Sequence, residues 1–274
     1  MYNLNDLVYL MQRLRDPETG CPWDIQQSFA SIVPHTLEEA YELADAIERG
    51  NSKEIREELG DLLFQVIFYA QLGSEQNDFS LDDVIDGIVS KLVRRHPHVF
   101  VGGQLRPDSS ATISVSAKDA EAIKAIKQNW EAIKHTERES KQHTSVLDDV
   151  PLALPALNRA HKLQKRAANV GFDWAHTEDI FAKLDEEVLE LRAELPEGNH
   201  ERIEAEMGDL LFCCVNLSRR LGVNAEAALR RASQRFEARF RFIETSLQEQ
   251  GRNPQDASLD EMERFWIKAK QQGL

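Results

Sequence analysis

The sequence predicts an all-α protein in which one helical-bundle module occurs twice in tandem. Apolar residues recur at helical spacing along most of the 274 residues, as in Ile55, Leu59, Leu62 and Val66. Strand-like alternation is confined to one segment, residues 111–116. The third observation is an internal repeat, and repeats of a whole segment pattern are typical of duplicated supersecondary units.

The repeat is clearest in two pairs of segments. ELGDLLF starting at Glu58 returns as EMGDLLF starting at Glu206. LEEAYEL starting at Leu37 corresponds to DEEVLEL starting at Asp185, and both pairs have the same offset of 148 residues. A constant offset over two separate motifs indicates two copies of one module.

The modules are assigned to residues 1–135 and 136–274. A Gly-, Ser- and Pro-rich insertion at about 102–117 is predicted to be flexible, and the polar residues 136–155 are predicted to link the modules. Helices are predicted at 34–49, 52–74, 81–96 and 118–135 in the first module, and at 155–168, 176–194, 199–221, 224–248 and 258–271 in the second.

Composition narrows the classes of function. The chain has 47 acidic and 33 basic residues, a formal net charge of −14, so nucleic acid is not an expected partner. Three cysteines, two of them adjacent, are typical of a reducing compartment. No signal peptide is recognised, and the most apolar stretch, residues 62–72, is too short to span a bilayer. We expect a cytoplasmic protein without membrane contact.

Acidic residues lie on shared helix faces in both modules. At 3.6 residues per turn, Glu38, Glu39 and Glu42 share one face, and Glu58 shares a face with Asp61 on the next helix. The second module repeats the set. Clustered carboxylates repel one another unless cations lie between them, and hard oxygen ligands suit Mg²⁺ or, as a substitute, Mn²⁺. The second set comprises Glu186, Glu187, Glu190, Glu206 and Asp209.

An isolated acidic helix is more often a solvated face than a metal site. Three features favour metal here: the charges at Glu58 and Asp61 interrupt an apolar helix, the pattern occurs twice, and Gly60 and Gly208 stand between the carboxylates. A mid-helix glycine costs about 1 kcal/mol relative to alanine, which predicts close packing at both positions. A di-iron site would need a histidine three residues after a ligand glutamate, and neither module places one after the glutamates of its acidic set.

Basic and aromatic residues form a second matched pattern. Arg235 and Arg239 are four residues apart, and Trp266 is followed four residues later by Lys270. Guanidinium groups suit phosphate oxygens, and an indole can stack on a base. The alternative is a surface helix with salt bridges and a tryptophan that covers the core. The matching residues of the first module are Lys91, Arg95, Trp130 and Lys134.

At these motifs the chain resembles the MazG family of all-α nucleoside triphosphate pyrophosphohydrolases. The resemblance rests on GCPWD from Gly20, EEAYE from Glu38, EELGDLLF from Glu57 and RRHPHVF from Arg94, with EEVLE and EMGDLLF in the second module. It implies a helical bundle, an intertwined homodimer, Mg²⁺ dependence and release of pyrophosphate from a broad range of nucleoside triphosphates. It also implies metal ligands at Glu39, Glu42, Glu58 and Asp61, and at Glu187, Glu190, Glu206 and Asp209.

The resemblance places nucleotide contacts in the second module. One departure concerns Lys183, because His35 stands at its position in the first module, which is therefore expected to be weakened or mainly structural. The implied nucleotide contacts are Lys183, Leu184, Asp185, Glu186, Glu187, Arg202, Ile203, Glu204, Ala205, Arg235, Arg239 and Trp266.

The expected chemistry needs no specialised nucleophile. Carboxylate-held Mg²⁺ would bridge phosphate oxygens and orient a water for in-line attack. Glu186 is the proposed proton acceptor, and Lys183, Arg235 and Arg239 would stabilise charge on the leaving pyrophosphate. Two alternatives stay open: a narrower dUTP or phosphoribosyl-ATP pyrophosphohydrolase, and a non-catalytic nucleotide-binding dimerisation module.

Overall fold

The computed structural model describes residues 1–106, 119–140 and 144–274, and every regular element in these ranges is a helix. The all-helical class predicted from the sequence is thereby confirmed. The chain divides into two compact units, Met1–Thr136 and Glu137–Leu274. Within the described ranges, no helix is both long and apolar enough to cross a membrane.

In unit 1, α3 and α4 form the central pair. Gly50 ends α3 in the left-handed conformation at φ 71°, and the Asn51 side chain caps α4 by accepting hydrogen bonds from backbone N–H groups of its first turn. This short connection folds α4 back along α3, and the two helices pack against each other. The helices of this part of the chain are α1 (Leu4–Leu14), α2 (Pro22–Ile25), α3 (Phe29–Arg49), α4 (Ser52–Glu75), α5 (Leu81–Arg95) and α6 (Ala120–Ser140).

The core of unit 1 joins α1 to the α3–α4 pair. Met11, Ile32, Ile67, Phe68 and Leu72 form one buried cluster. Burying a side chain of this size stabilises the fold by roughly 1.5–3 kcal/mol. The cluster therefore holds α3 and α4 together, and carboxylates on the two helices keep fixed relative positions.

Unit 2 repeats the central pair with α8 and α9, which pack against each other, while α11 packs on α10. The side-chain amide of Gln164, buried on α7, donates to the backbone oxygen of Phe212 on α9 at 2.8 Å. The buried core of this unit includes Ile180, Val215 and Leu247. The helices are α7 (Ala156–Ala168), α8 (Thr177–Glu194), α9 (His200–Arg220), α10 (Ala225–Gln248) and α11 (Leu259–Gln271).

The N-terminal part of unit 1 differs from the sequence-based prediction. Helices α1 and α2 were not predicted, and the predicted start of α3 at residue 34 is wrong. Ser28 and Ser31 cap each other reciprocally, so α3 begins at Phe29 and contains Pro34. Proline is typical of a first helical turn, and the predicted start at residue 34 placed Pro34 at that position. Inside the helix its missing N–H removes the one hydrogen bond to the carbonyl of Ala30.

The region between the modules also differs in part. Helix α6 continues to Ser140, five residues past its predicted end, so the predicted linker begins inside a helix. At the predicted insertion, Val101–Gly103 forms a short 3₁₀ helix. Residues 107–118, which include the strand-like segment 111–116, lie outside the described residues.

Candidate active site

In unit 2, three carboxylates of the predicted metal site come together. Glu187 and Glu190 lie on α8 and Glu206 lies on α9, and one oxygen of each falls within 4.8 Å of the others. We call these residues the unit 2 triad. Glu187 is buried. Burial raises the pKa of Glu190; the charge of Lys183 opposes this shift and the acidic neighbours add to it. The triad is thus a concentration of negative charge that a cation would relieve.

Lys183 lies against this triad from one turn earlier on α8. Its Nζ atom is 2.9 Å from Glu187, 3.0 Å from Glu186 and 3.9 Å from Glu190. Hydrogen bonds to Glu187 and then Glu186 raise the pKa of Lys183 well above its usual range. The side chain is about one-third exposed, at 32%. The ammonium therefore neutralises part of the triad charge and still reaches solvent.

Unit 1 has an equivalent triad formed by Glu39 and Glu42 of α3 and Glu58 of α4, again with oxygens within 4.8 Å. Burial raises the pKa of Glu39, and so does the nearby charge of Asp61, followed by Glu42 and Glu58. Burial and the carboxylates of Glu42 and Asp61 likewise raise the pKa of Glu58. We call these residues the unit 1 triad.

Asp61 and its counterpart Asp209 are exposed and fall outside the triads. Asp61 is nevertheless close enough to act on both Glu39 and Glu58 through its charge. The sequence-based set of four carboxylates thus separates into three that converge and one at the margin in each unit.

His35, which stands in unit 1 at the position of Lys183, contacts residues outside the unit 1 triad. His35 Nδ1 lies 3.8 Å from Glu38, which is not a triad member. Its ring also meets the indole of Trp23 edge to face, with ring centroids 5.8 Å apart. Among the described residues, Glu39, Glu42 and Glu58 form no ion pair with a lysine or arginine.

The remaining candidates lie in the middle of α8 and near the start of α9. Leu184 and Asp185 follow Lys183 on α8, and the exposed Glu186 carboxylate is held by its ammonium. Arg202 forms ion pairs with Glu194 and Glu197, each at 3.4 Å. Ile203, Glu204 and Ala205 follow Arg202 in the first turns of α9.

On α10 and α11, an arginine and a tryptophan stack on each other. The Arg239 guanidinium lies over the Trp266 ring at 5.2 Å, and Phe236 meets the same ring at 5.4 Å. Arg239 Nε also donates to the backbone oxygen of Leu274 at 2.8 Å. Phe236 was missed by the sequence reasoning, although an aromatic residue directly after Arg235 was a usable signal. Arg235 and Lys270 are exposed on α10 and α11.

The matching tryptophan of unit 1 has a different partner. Trp130 on α6 meets the His96 ring edge to face at 5.1 Å, and its buried Nε1 has no hydrogen-bond partner among the described residues. Arg95 is the last residue of α5, and Lys91 lies about one turn before it. The side chain of Lys134 lies outside the described residues. In unit 2 the tryptophan therefore stacks with an arginine, whereas in unit 1 it contacts a histidine.

The close packing predicted at Gly60 and Gly208 is wrong within the chain. Both glycines are exposed, and a Cβ atom added to either would meet nothing within 4 Å among the described residues. The helix surface beside each triad is open rather than packed. Packing within the chain therefore does not explain why a glycine stands at either position.

The donor set fits a small divalent cation. Each triad offers only carboxylate oxygens, which are hard ligands of the kind that Mg²⁺ and Mn²⁺ prefer. Burial raises the pKa of Glu39, Glu58 and Glu190, and the charges of neighbouring carboxylates raise it further, so a bound cation would favour the charged forms.

Comparison with known proteins agrees with this geometry. The model of the MazG nucleotide pyrophosphohydrolase domain matches residues 27–100 and 176–241, and each matched segment contains one triad. The chain is 47% identical to the nucleoside triphosphate pyrophosphohydrolase of Escherichia coli K12, over 100% of this chain and 99% of that protein. It is 40% identical to the Thermotoga maritima nucleoside triphosphate pyrophosphohydrolase/pyrophosphatase MazG, over 97% of this chain and 94% of that protein.

Proposed function

The chain belongs to the MazG family of nucleotide pyrophosphohydrolases, and we propose that it hydrolyses nucleoside triphosphates to the monophosphate and pyrophosphate at unit 2. The observation that carries this assignment is the unit 2 triad with Lys183 against it. Three convergent carboxylates supply a cation site, and the ammonium supplies a positive charge that can contact phosphate. The bound cation and the ammonium would together offset the repulsion between the phosphates and this negatively charged protein.

Glu187, Glu190 and Glu206 would hold the divalent ion, Mg²⁺ by preference, with Asp209 at the margin of the site. When bound, such an ion screens the phosphate charge and lowers the pKa of a coordinated water. The role of the triad is to fix the ion by oxygens from two helices that the α8–α9 packing holds together.

Three further residues have proposed roles in the chemistry. Glu186 is exposed at the edge of the triad and is our choice for the group that accepts the proton of the attacking water. Lys183 contacts phosphate oxygens and, with Arg235, stabilises the charge that develops on the pyrophosphate leaving group.

The stack of Arg239 on Trp266 is proposed to receive the nucleotide. A base that stacks on the indole gains roughly 1–3 kcal/mol without being recognised by its hydrogen-bonding edge. Such a surface accepts every base, which supports broad specificity and a role in clearing the nucleotide pool over a narrower dUTP or phosphoribosyl-ATP enzyme.

A homodimer is proposed from the apolar side chains on the central helix pairs. Leu189 is 63% exposed on α8, and Leu211 and Phe212 are 51% and 45% exposed on α9. Exposed apolar side chains of this size on two packed helices favour an interface, and a second copy offers the same side chains. Light scattering at micromolar concentration should give twice the 31.3 kDa chain mass, and a monomer with full activity would contradict this assignment.

The activity is tested by measuring pyrophosphate release from the four NTPs and four dNTPs, with Mg²⁺ and with a chelator. We expect turnover on all eight only when Mg²⁺ is present, with monophosphate and pyrophosphate in equal amounts. Turnover of a single substrate would support the narrower enzyme. Tight nucleotide binding without any turnover would support the non-catalytic module and contradict the proposal.

A further inference from the structure

The two triads differ in one respect that bears on how they bind metal. In unit 2, the Lys183 ammonium lies 2.9 Å from Glu187 and 3.9 Å from Glu190, so it contacts two of the three carboxylates that would hold a metal ion. In unit 1, His35 stands at the corresponding position and pairs with Glu38 instead. One triad therefore contains its own counter-ion, and the other does not.

An ammonium and a divalent cation cannot share these oxygens without repulsion. At about 4 Å, a +1 and a +2 charge repel strongly enough to weaken metal binding about tenfold or more, even at the dielectric constant of water. The flexible lysine side chain is one-third exposed, so it can leave the triad by rotation about its own bonds. What it needs on leaving is another anion.

We propose that Lys183 is the resident counter-ion of the unit 2 triad and couples the binding of divalent metal to the binding of nucleoside triphosphate. Without nucleotide, the ammonium competes with the metal for Glu187 and Glu190. With nucleotide, the phosphates draw the ammonium away and the triad becomes free for the metal. The inference rests on the proposed function, because it takes the triad as the metal site of that reaction.

The coupling has a consequence for the reaction. Metal and nucleotide each raise the affinity of unit 2 for the other, since coupling between two ligands is reciprocal. Unit 2 therefore fills with metal when substrate is present, whereas the unit 1 triad binds metal without regard to nucleotide.

The test measures Mn²⁺ binding to the full chain by electron paramagnetic resonance of the free ion. The Glu58→Gln background removes the unit 1 triad, so the titration reports unit 2. In this background, Lys183→Met should tighten Mn²⁺ binding about tenfold without nucleotide, and Lys183→Arg should leave it weak. A triphosphate with a methylene bridge between its α- and β-phosphates should tighten Mn²⁺ binding in the parent and have little effect in Lys183→Met.

A reciprocal variant provides the control and guards against misfolding of Lys183→Met. In a Glu206→Gln background, His35→Lys should weaken Mn²⁺ binding to the unit 1 triad by a similar factor. Unchanged or weaker Mn²⁺ binding in Lys183→Met, or unchanged binding in His35→Lys, would overturn the inference and leave the proposed function standing. If Mn²⁺ bound to neither triad even with the nucleotide analogue, the metal site of the proposed function would fail as well.

Discussion

Arg15 at the end of α1 forms an ion pair with Glu75 at the end of α4, and Arg15 Nη2 lies 2.6 Å from a carboxylate oxygen of Glu75. The guanidinium side chain is only 6% exposed, lies over the Phe68 ring at 5.3 Å and also donates to the backbone oxygen of Asp24. One charged group therefore ties α1, the short α2 and the end of α4 to the core. The ion pair thus links α1 to α4, one of the two helices that carry the unit 1 triad.

Replacing Glu75 by Gln should destabilise unit 1 by about 1–3 kcal/mol, because it leaves a largely buried guanidinium without its carboxylate. The hydrogen bond from Arg15 lowers the pKa of Glu75. The contribution is therefore complete above the unfolded pKa of about 4.3 and is lost as pH falls through the lower folded pKa. Chemical denaturation at pH 7 and pH 3 checks both points. An equal loss at the two pH values would contradict the account.

Glu39→Gln should stabilise the protein in a chelator by a fraction of 1 kcal/mol once solvent screening is counted. Burial and the charge of Asp61 raise the pKa of Glu39, so the fold disfavours its charged form. The same substitution should shrink the rise in melting temperature caused by millimolar Mg²⁺. Glu38→Gln is the matched control, since Glu38 lies outside the triad and should keep the full Mg²⁺ response. If Mg²⁺ raised the melting temperature of Glu39→Gln as much as that of the parent protein, the unit 1 triad would not be a metal site.

Gly208→Ala should raise the free energy of unfolding by roughly 0.5–1 kcal/mol, since alanine is the better helix former and its Cβ meets no atom of the chain. Gly60→Ala should behave in the same way in unit 1. The melting temperatures of both variants are compared with that of the parent protein, at protein concentrations below and above the one at which the proposed dimer forms. A lower melting temperature at every concentration would show that the space at these glycines is occupied.

Trp266→Ala should raise the KM for nucleoside triphosphates about tenfold or more while kcat changes less, because the indole is proposed to stack on the base and not to contact the reacting phosphates. The effect should be similar for all bases. Phe265→Leu changes the neighbouring position on α11 and should leave KM within about twofold. Loss of kcat with unchanged KM would place Trp266 in the chemistry and contradict the proposed stack.

Much of the fold could be predicted from the sequence, and the reasons are physical. Helical spacing of apolar residues and the 148-residue offset between Glu58 and Glu206 indicated the helix pairs of both units. The start of α3 could not be predicted from Pro34, since the reciprocal capping by Ser28 and Ser31 outweighs one missing hydrogen bond.

For the candidate site, sequence spacing put Glu187 and Glu190 on one face of α8, and the packing of α9 brought Glu206 to them. The ion pairs of Lys183 with these residues depend on rotamers, which the sequence does not specify. Gly208 was misjudged because the helix-forming penalty of glycine says nothing about which neighbour, if any, lies above it.

If the unit 2 triad holds the ion required for pyrophosphate release, two matched substitutions should differ sharply in their effect on turnover. Steady-state pyrophosphate release is measured for Glu206→Gln and Glu58→Gln, which change the same motif position 148 residues apart. We expect Glu206→Gln to lower kcat about 100-fold or more, since each carboxylate of the unit 2 triad is a proposed ligand, and Glu58→Gln to lower it less than about tenfold. Full turnover in Glu206→Gln together with loss of activity in Glu58→Gln would assign the reaction to unit 1 and contradict the account.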